Sequence, residues 1–255
     1  MVKAGIDISE HNGTIDWKKV KTHIDFAILR AGYGRKNVDK KFNENITECE
    51  KRKIPVGIYW FSYATSVTGA KQEAEKCIAT ISKHKITYPV YFDFEYDSIN
   101  NYRKVNGRSP TKKNIEDITT TFLAAIEKAG YKTGLYVNPD LGNKYFYSLL
   151  KNYDLWVAHW GVDKPGISCK MWQDSNKARI EGISGPVDSD LCYKDYSNTN
   201  DLLEKCFKTY NEIYLNIARE IIDGKWGAGA ERIRKLKAND YDPNIAQAIV
   251  NLLLM

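Results

Sequence analysis

With 255 residues, 43% of them hydrophobic and 27% charged, the chain has the makeup of one large globular domain, or a medium one with a small appendage, and not of a disordered polymer. No stretch nears the roughly 18 uninterrupted apolar residues of a membrane-spanning helix, so no membrane is expected as a partner. The net charge of +6 is modest and its lysines are interspersed with acids, so no nucleic acid is expected either.

From Asn211 onward six Lys/Arg face six Asp/Glu, so the positive excess lies upstream. That excess fits attraction to an anionic polymer such as a bacterial wall as well as it fits generic solubility. Five cysteines (Cys49, Cys77, Cys169, Cys192, Cys206) are scattered and never paired as Cys-x-x-Cys, which argues against a disulfide framework and a zinc ribbon. The opening "MVKAGIDISEHNG" lacks an apolar run of signal-peptide length, so synthesis in the cytoplasm without a signal peptide is expected.

Eight β-rich runs follow one another: "AGIDIS" (4–9), "FAILRAG" (26–32), "PVGIYWFSY" (55–63), "YPVYFDFEY" (88–96), "TGLYVN" (133–138), "LWVAHW" (155–160), "CKMWQ" (169–173) and "GPVDSDLCY" (185–193). Helix-like segments such as "DKKFNENITECEKRK" and "TGAKQEAEKCIATISKHK" separate the early ones, the βαβ alternation of a parallel sheet. The fold class is therefore α/β, and eight such strands predict a closed (β/α) barrel. The last strands lie too close together for full helices between them, so the barrel is expected to be incomplete. A doubly wound open sheet is the alternative, but no Gly-x-Gly-x-x-Gly turn follows the first strand and no dinucleotide cofactor is expected.

After Tyr193 the chain turns polar, and a helical pattern begins with Ile213, Ile217 and Ile221. A glycine-rich turn, "DGKWGAG", leads to a run holding Ile233 and Leu236, and "DP" starts a third run with Ile245, Ile249 and Leu252. The division expected is a barrel over 1–195, a linker over 196–210 and a three-helix unit over 211–255. That unit has little core of its own.

Within "YPVYFDFEYDS" three acids, Asp93, Glu95 and Asp97, recur at every second position of an apolar run. Ionised carboxylates are costly to bury without partners, so this face is expected to meet a polar cavity. Asp7 on the first strand and Asp188 on the eighth become neighbours on closure, gathering four carboxylates at one barrel mouth. Crowded carboxylates repel, so one stays protonated while others remain ionised. Glycosidic hydrolysis needs that division; a Ca²⁺ or Mg²⁺ site is the competing use of clustered oxygens. Tyr59, Tyr63, Tyr136, Trp160 and Trp172, near strand ends, are candidates to line a sugar cleft. His11, His23, His84 and His159 show no metal-ligand spacing, no Gly-x-Ser-x-Gly elbow is present, and Cys169 lacks a recognisable partner motif.

The segments "GIDISEHNGTIDW", "DFAILRAGYG", "PVGIYWFSYA", "PVYFDFEY", "TGLYVNP", "LWVAHW", "MWQ" and "GISGPVDSD", in this order, resemble glycoside hydrolase family 25, the lysozymes of bacterial and phage origin, over about residues 3–193. The resemblance implies an incomplete (β/α) barrel that cleaves the β-1,4 bond between N-acetylmuramic acid and N-acetylglucosamine in peptidoglycan, without a cofactor. It implies Glu95 as proton donor, Asp93, Asp7 and Asp188 as the accompanying carboxylates, and Tyr59 and Tyr136 along the cleft. Retention of configuration, with the substrate 2-acetamido group as internal nucleophile oriented by Asp93, is implied as well. Where many members have Tyr-His on the third strand, this chain has Tyr59-Trp60.

The tail "IAREIIDGKWGAGAERIRKLKANDYDPNIAQAIVNLLL" resembles the short cell-wall-binding repeat first known from pneumococcal phage lysozymes. Trp226 and Arg232 are its candidate binding residues. One copy offers little avidity, which leaves a homo-oligomer through this module, or the catalytic cleft, to supply the rest. The combined reading is a phage or prophage endolysin that reaches the wall after release from the cytoplasm. A host autolysin, a wall lectin without turnover, a chitin-directed hydrolase and a metal-dependent hydrolase are the rivals.

Overall fold

The computed structural model describes residues 2–196 and 213–253. Two compact units, Met1–Ser197 and Asn198–Met255, divide the chain. Of the linker expected over 196–210, all but residue 196 lies outside the described residues, as does Cys206.

The first unit holds nine strands: β1 (Lys3–Ile8), β2 (Phe26–Tyr33), β3 (Asn37–Val38), β4 (Val56–Phe61), β5 (Val90–Asp93), β6 (Thr133–Val137), β7 (Asp154–Ala158), β8 (Met171–Ala178) and β9 (Val187–Cys192). Eight of them close a barrel in the order β1-β9-β8-β7-β6-β5-β4-β2, with β2 pairing back onto β1; the two-residue β3 is an edge extension of β2. The barrel is mixed. β1, β2 and β4 to β8 run parallel, whereas β9 is antiparallel to both β1 and β8. An all-parallel barrel would need a crossover helix before β9, and the eight residues between β8 and β9 allow only a tight return.

The helices follow the same arithmetic. α1 (Trp17–Val20) is a single turn, while α2 (Phe42–Lys51), α3 (Val67–Ile81), α4 (Tyr96–Asn106) and α5 (Lys112–Lys128) are full helices on the outside. α6 (Pro139–Tyr145) is short, and no helix separates β7 from β8 or β8 from β9. The starts are coded locally. Ser66 accepts a bond from Gly69 N, Thr111 from Asn114 N, and Asn138 from Leu141 N with Pro139 in the first turn.

Strand alternation sorts two cores. On β5, Val90 and Phe92 face the helices, joining Ile58, Trp60, Leu135, Ala74, Ile118 and Phe122. Tyr91 faces inward with Phe26, Ile28, Tyr136, Trp156 and Met171. Glycines make room for these rings. A Cβ on Gly134 would lie 2.3 Å from the Tyr91 ring, and one on Gly5 2.4 Å from Phe26.

In the second unit, residues 213–222 form α7, followed by α8 (Gly229–Ala238) and α9 (Pro243–Leu253). Tyr214, Ile217, Ala218, Ile221, Leu236, Ala246 and Val250 make its small core. Ile249 and Leu252, expected at helical spacing, lie within α9, and their side chains fall outside the described residues. Ile213, Ile233 and Ile245 are exposed.

Gly134→Ala is expected to destabilise the barrel by about 2 kcal/mol, since the Tyr91 ring is hemmed in by Trp156 at 5.2 Å. Urea unfolding of variant and parent measures it; an unchanged midpoint would show that the ring has room to move.

Candidate active site

A cavity of about 290 Å³ opens at the barrel mouth, lined by Asp7, Ser9, His11, Asn12, Arg30, Tyr59, Phe61, Asp93, Glu95, Tyr136, Trp156, Gln173, Pro186, Val187 and Asp188. Asp7 and Asp188 are direct cross-strand partners on β1 and β9, and Asp93 pairs with Phe61 and Tyr136 on the strands flanking it. Asp7 and Asp93 sit near the C-terminal ends of their strands. Asp188 differs: because β9 runs backwards, it reaches the mouth from the N-terminal end of its strand.

The acid triplet also departs from a simple strand. β5 ends at Asp93; Glu95, extended at φ −117° and ψ −167°, is the N-cap of α4, and Asp97 lies exposed in that helix's first turn. Only Asp93 and Glu95 reach the cavity. Glu95 N donates to Ser98 Oγ at 3.1 Å, which fixes its backbone, and Phe94 between the two acids turns outward against Phe92 and Phe146.

Gln173 organises the opposite wall. Its Oε1 accepts from Tyr136 OH at 3.0 Å and from Trp160 Nε1 at 3.1 Å, so the amide nitrogen must point the other way. Nε2 accordingly donates to Asp7 Oδ2 at 2.6 Å. The motif "MWQ" carried the information: Met171 and Gln173 alternate inward, so Gln173 reaches the cavity while Trp172 takes the other face and donates to His159 O at 2.9 Å.

Charge is crowded here. Burial, joined by repulsion from Asp190 and Asp188, holds Asp7 well above the usual carboxylate range. Burial lifts Asp93 and Glu95 also, and the contact between the two raises Asp93 further while lowering Glu95. Asp188 is raised by burial. Among the described residues the only Lys or Arg lining the cavity is Arg30, which donates from Nε to Asp39 at 2.7 Å and from Nη2 to Glu10 at 2.9 Å. Two carboxylates thus clamp one cation whose charge opposes the rise of Asp93.

A family model described as "Glycosyl hydrolases family 25" matches residues 6–183, and a second, "CW_7 repeat", matches residues 216–254. The chain belongs to glycosyl hydrolases family 25. The autolysin LytC from Streptococcus pneumoniae superposes with a TM-score of 0.64 at 33% identity, over 75% of this chain and 47% of that one. The CTP1L endolysin gives 0.66 at 27% identity, over 78% of this chain and 68% of its own. Among curated sequences, Lysozyme M1 of Streptomyces globisporus is 28% identical over 197 residues, 72% of this chain and 65% of it, and the Lysozyme of Streptococcus phage Cp-7 is 24% identical over 204, 77% and 55%. The chain spans about half the length of LytC and of the phage enzyme.

In this family-25 barrel the six residues Asp7, Asp93, Glu95, Asp188, Tyr59 and Tyr136 meet at one cavity, and Tyr63, Trp160 and Trp172 are not among its lining residues. Trp160 stands 46% exposed and touches the site through Gln173. Tyr63 sits on a loop pinned from below: buried Glu73 accepts from Ser62 Oγ at 2.6 Å and from Tyr63 N at 3.0 Å, and burial pushes its carboxyl up to about 7. His159 Nδ1 accepts from Gly166 N, a loop contact. In the repeat, Trp226 donates to Glu220 at 2.9 Å and Arg232 donates to Gly227 O and Gln247 at 3.0 and 3.1 Å, so both hold the turns between helices. Arg30, Trp156 and Gln173 carry no clustered sequence signal, because each sits singly in a strand outside any acid cluster; Asp190 lies in the same "PVDSD" run as Asp188, where its spacing of two marks it as a same-face acid.

Arg30→Ala is expected to cost about 3 kcal/mol of stability, because it strands Asp39, whose side chain is 1% exposed, without its counter-charge. Denaturant unfolding reports it. A cost under about 1 kcal/mol would mean that Asp39 is held by its backbone donors Glu10 N and Lys41 N instead.

Proposed function

We propose that this chain is a peptidoglycan hydrolase, an N-acetylmuramidase that cleaves the β-1,4 bond from N-acetylmuramic acid to N-acetylglucosamine. The observation that carries this reading is the convergence of Asp93 and Glu95 with Asp7 and Asp188 in one cavity lined by Tyr59, Tyr136 and Trp156, where burial raises all four carboxyls. Membership of a glycoside hydrolase family and a repeat described as CW_7 agree with it.

The chemistry follows from where the proton moves. When the substrate 2-acetamido N–H donates to Asp93, it favours the ionised form of that carboxyl, and the one proton the pair retains sits on Glu95. Glu95 then protonates the leaving glycosidic oxygen as the bond to the anomeric carbon breaks. The acetamido carbonyl oxygen closes onto that carbon from the opposite face, and ionised Asp7 and Asp188 stabilise the positive charge that develops. In the second half Glu95 takes a proton from water, the water oxygen attacks the anomeric carbon as its bond to the acetamido oxygen breaks and the acetamide is restored, and configuration is retained.

We further propose that the protein is a phage or prophage endolysin, made in the host cytoplasm and acting at the wall after release, with the repeat adding wall affinity through Trp226 and Arg232. Relatives that include a phage lysozyme support this origin, and fractionation of producing cells before and after lysis tests it. Self-association would give a single repeat avidity; sedimentation of the intact chain tests that.

The enzyme assignment is tested by reducing-end release from purified peptidoglycan with mass spectrometry of the products. The intact chain is expected to yield fragments ending in muramic acid, and Glu95→Gln to lose about three orders of magnitude in kcat. Binding without release would replace the hydrolase with a lectin. The pH profile has a definite sign: the pair must keep one proton, so activity falls on the alkaline side, and because both carboxyls are raised it persists above the pH at which an ordinary glutamate would be ionised.

A further inference from the structure

Asp190 is a fifth carboxyl in the barrel, unused by the chemistry above. Its Cα pairs with Gly5 on β1 and Gln173 on β8, so it points inward one layer below Asp7 and Asp188. It is 1% exposed. Oδ1 accepts a 2.7 Å bond from Trp156 Nε1, while Oδ2 is buried with no hydrogen-bond partner. The titratable groups around it are Asp7 from β1, Asp188 and Cys192 from β9, Asp174 from β8 and Tyr91 from β5, and no Lys or Arg of the described residues bonds to it. A second negative charge in this layer would therefore face other carboxyls with one donor for support. Asp7 also has one donor, Gln173 at 2.6 Å, but it lines the cavity, whereas Asp190 does not and keeps Oδ2 buried without a partner.

We propose that Asp190 is a positioning residue acting as a neutral carboxylic acid: Oδ1 holds the Trp156 indole in the cleft floor, and the proton on Oδ2 leaves the negative charge to Asp7. The contact runs onward. Trp156 packs edge-on against Tyr136 at 4.6 Å, Tyr136 holds Gln173, and Gln173 orients Asp7. Burial first, then repulsion from Asp188 and Asp174, raises Asp190 well above the usual carboxylate range, in keeping with a retained proton.

This role rests on the muramidase reading, and two measurements separate them. On soluble peptidoglycan fragments, Asp190→Asn keeps a neutral accepting group and is expected to stay within about threefold of the parent in kcat, whereas Asp190→Leu loses at least about tenfold in kcat with a smaller change in KM. Thermal unfolding needs no activity. An acid raised in the folded state stabilises fully below its unfolded value and loses that contribution as pH rises, so the Tm of Asp190→Asn should gain on the parent as pH rises above about 4. A Tm difference that stays flat with pH, or an Asn variant as impaired as the Leu variant, overturns the proposal. A parent that releases no muropeptides overturns the muramidase reading alone, and the Tm comparison still decides the state of Asp190.

Discussion

The antiparallel return of β9 between β1 and β8 is the constraint on which the site depends. Closure by this strand sets Asp188 opposite Asp7 and Asp190 opposite Gly5, which brings three carboxyls from two strands into neighbouring layers. A parallel eighth strand would present its C-terminal end at the mouth and carry Val187 and Asp188 to the far end. The tight return from β8 thus fixes which acids meet, and it also removes the outer helix that would otherwise cover this edge.

Those acids impose a cost that the rest of the interior offsets. Below them the barrel is filled with rings, Tyr91, Trp156, Tyr136 and Phe26, and glycines at 5 and 134 give the rings the space that a Cβ would occupy. Aromatics with polar tips suit this layer because each can fill volume and donate one bond: Trp156 to Asp190, Tyr136 to Gln173. Aliphatic filling would pack as well and leave the carboxyls without donors.

Particular residues show how far the sequence could be read. The acids of "DFEYDS" and "PVDSD" stood out because carboxylates in apolar runs conflict with burial, and Asp7, Asp93, Glu95 and Asp188 do converge. The same alternation misled at Asp97, since it assumed that the strand continues; α4 begins at once after Glu95, and a helix start within a β-rich run has no strong local mark beyond the Glu95 and Ser98 pair. Trp172 drew attention over Gln173 because it is aromatic, although its neighbour holds the inward position. The reversed β9 was not visible at all, because strand direction is a property of the closed barrel and not of the six residues that form the strand.

The placement of Arg30 explains why the cluster is not simply neutralised. In the proposed reaction positive charge develops at the anomeric carbon, so cations close to Asp7 and Asp188 would cancel the field that lowers the barrier. Among the described residues Arg30 is the one Lys or Arg that lines the cavity, and its Nε and Nη2 are spent on Asp39 and Glu10. Held there, Arg30 moderates the rise of Asp93 without pairing with it. A free lysine in the same place would swing onto the nearest carboxylate and quench it, whereas a clamped guanidinium acts from a fixed distance.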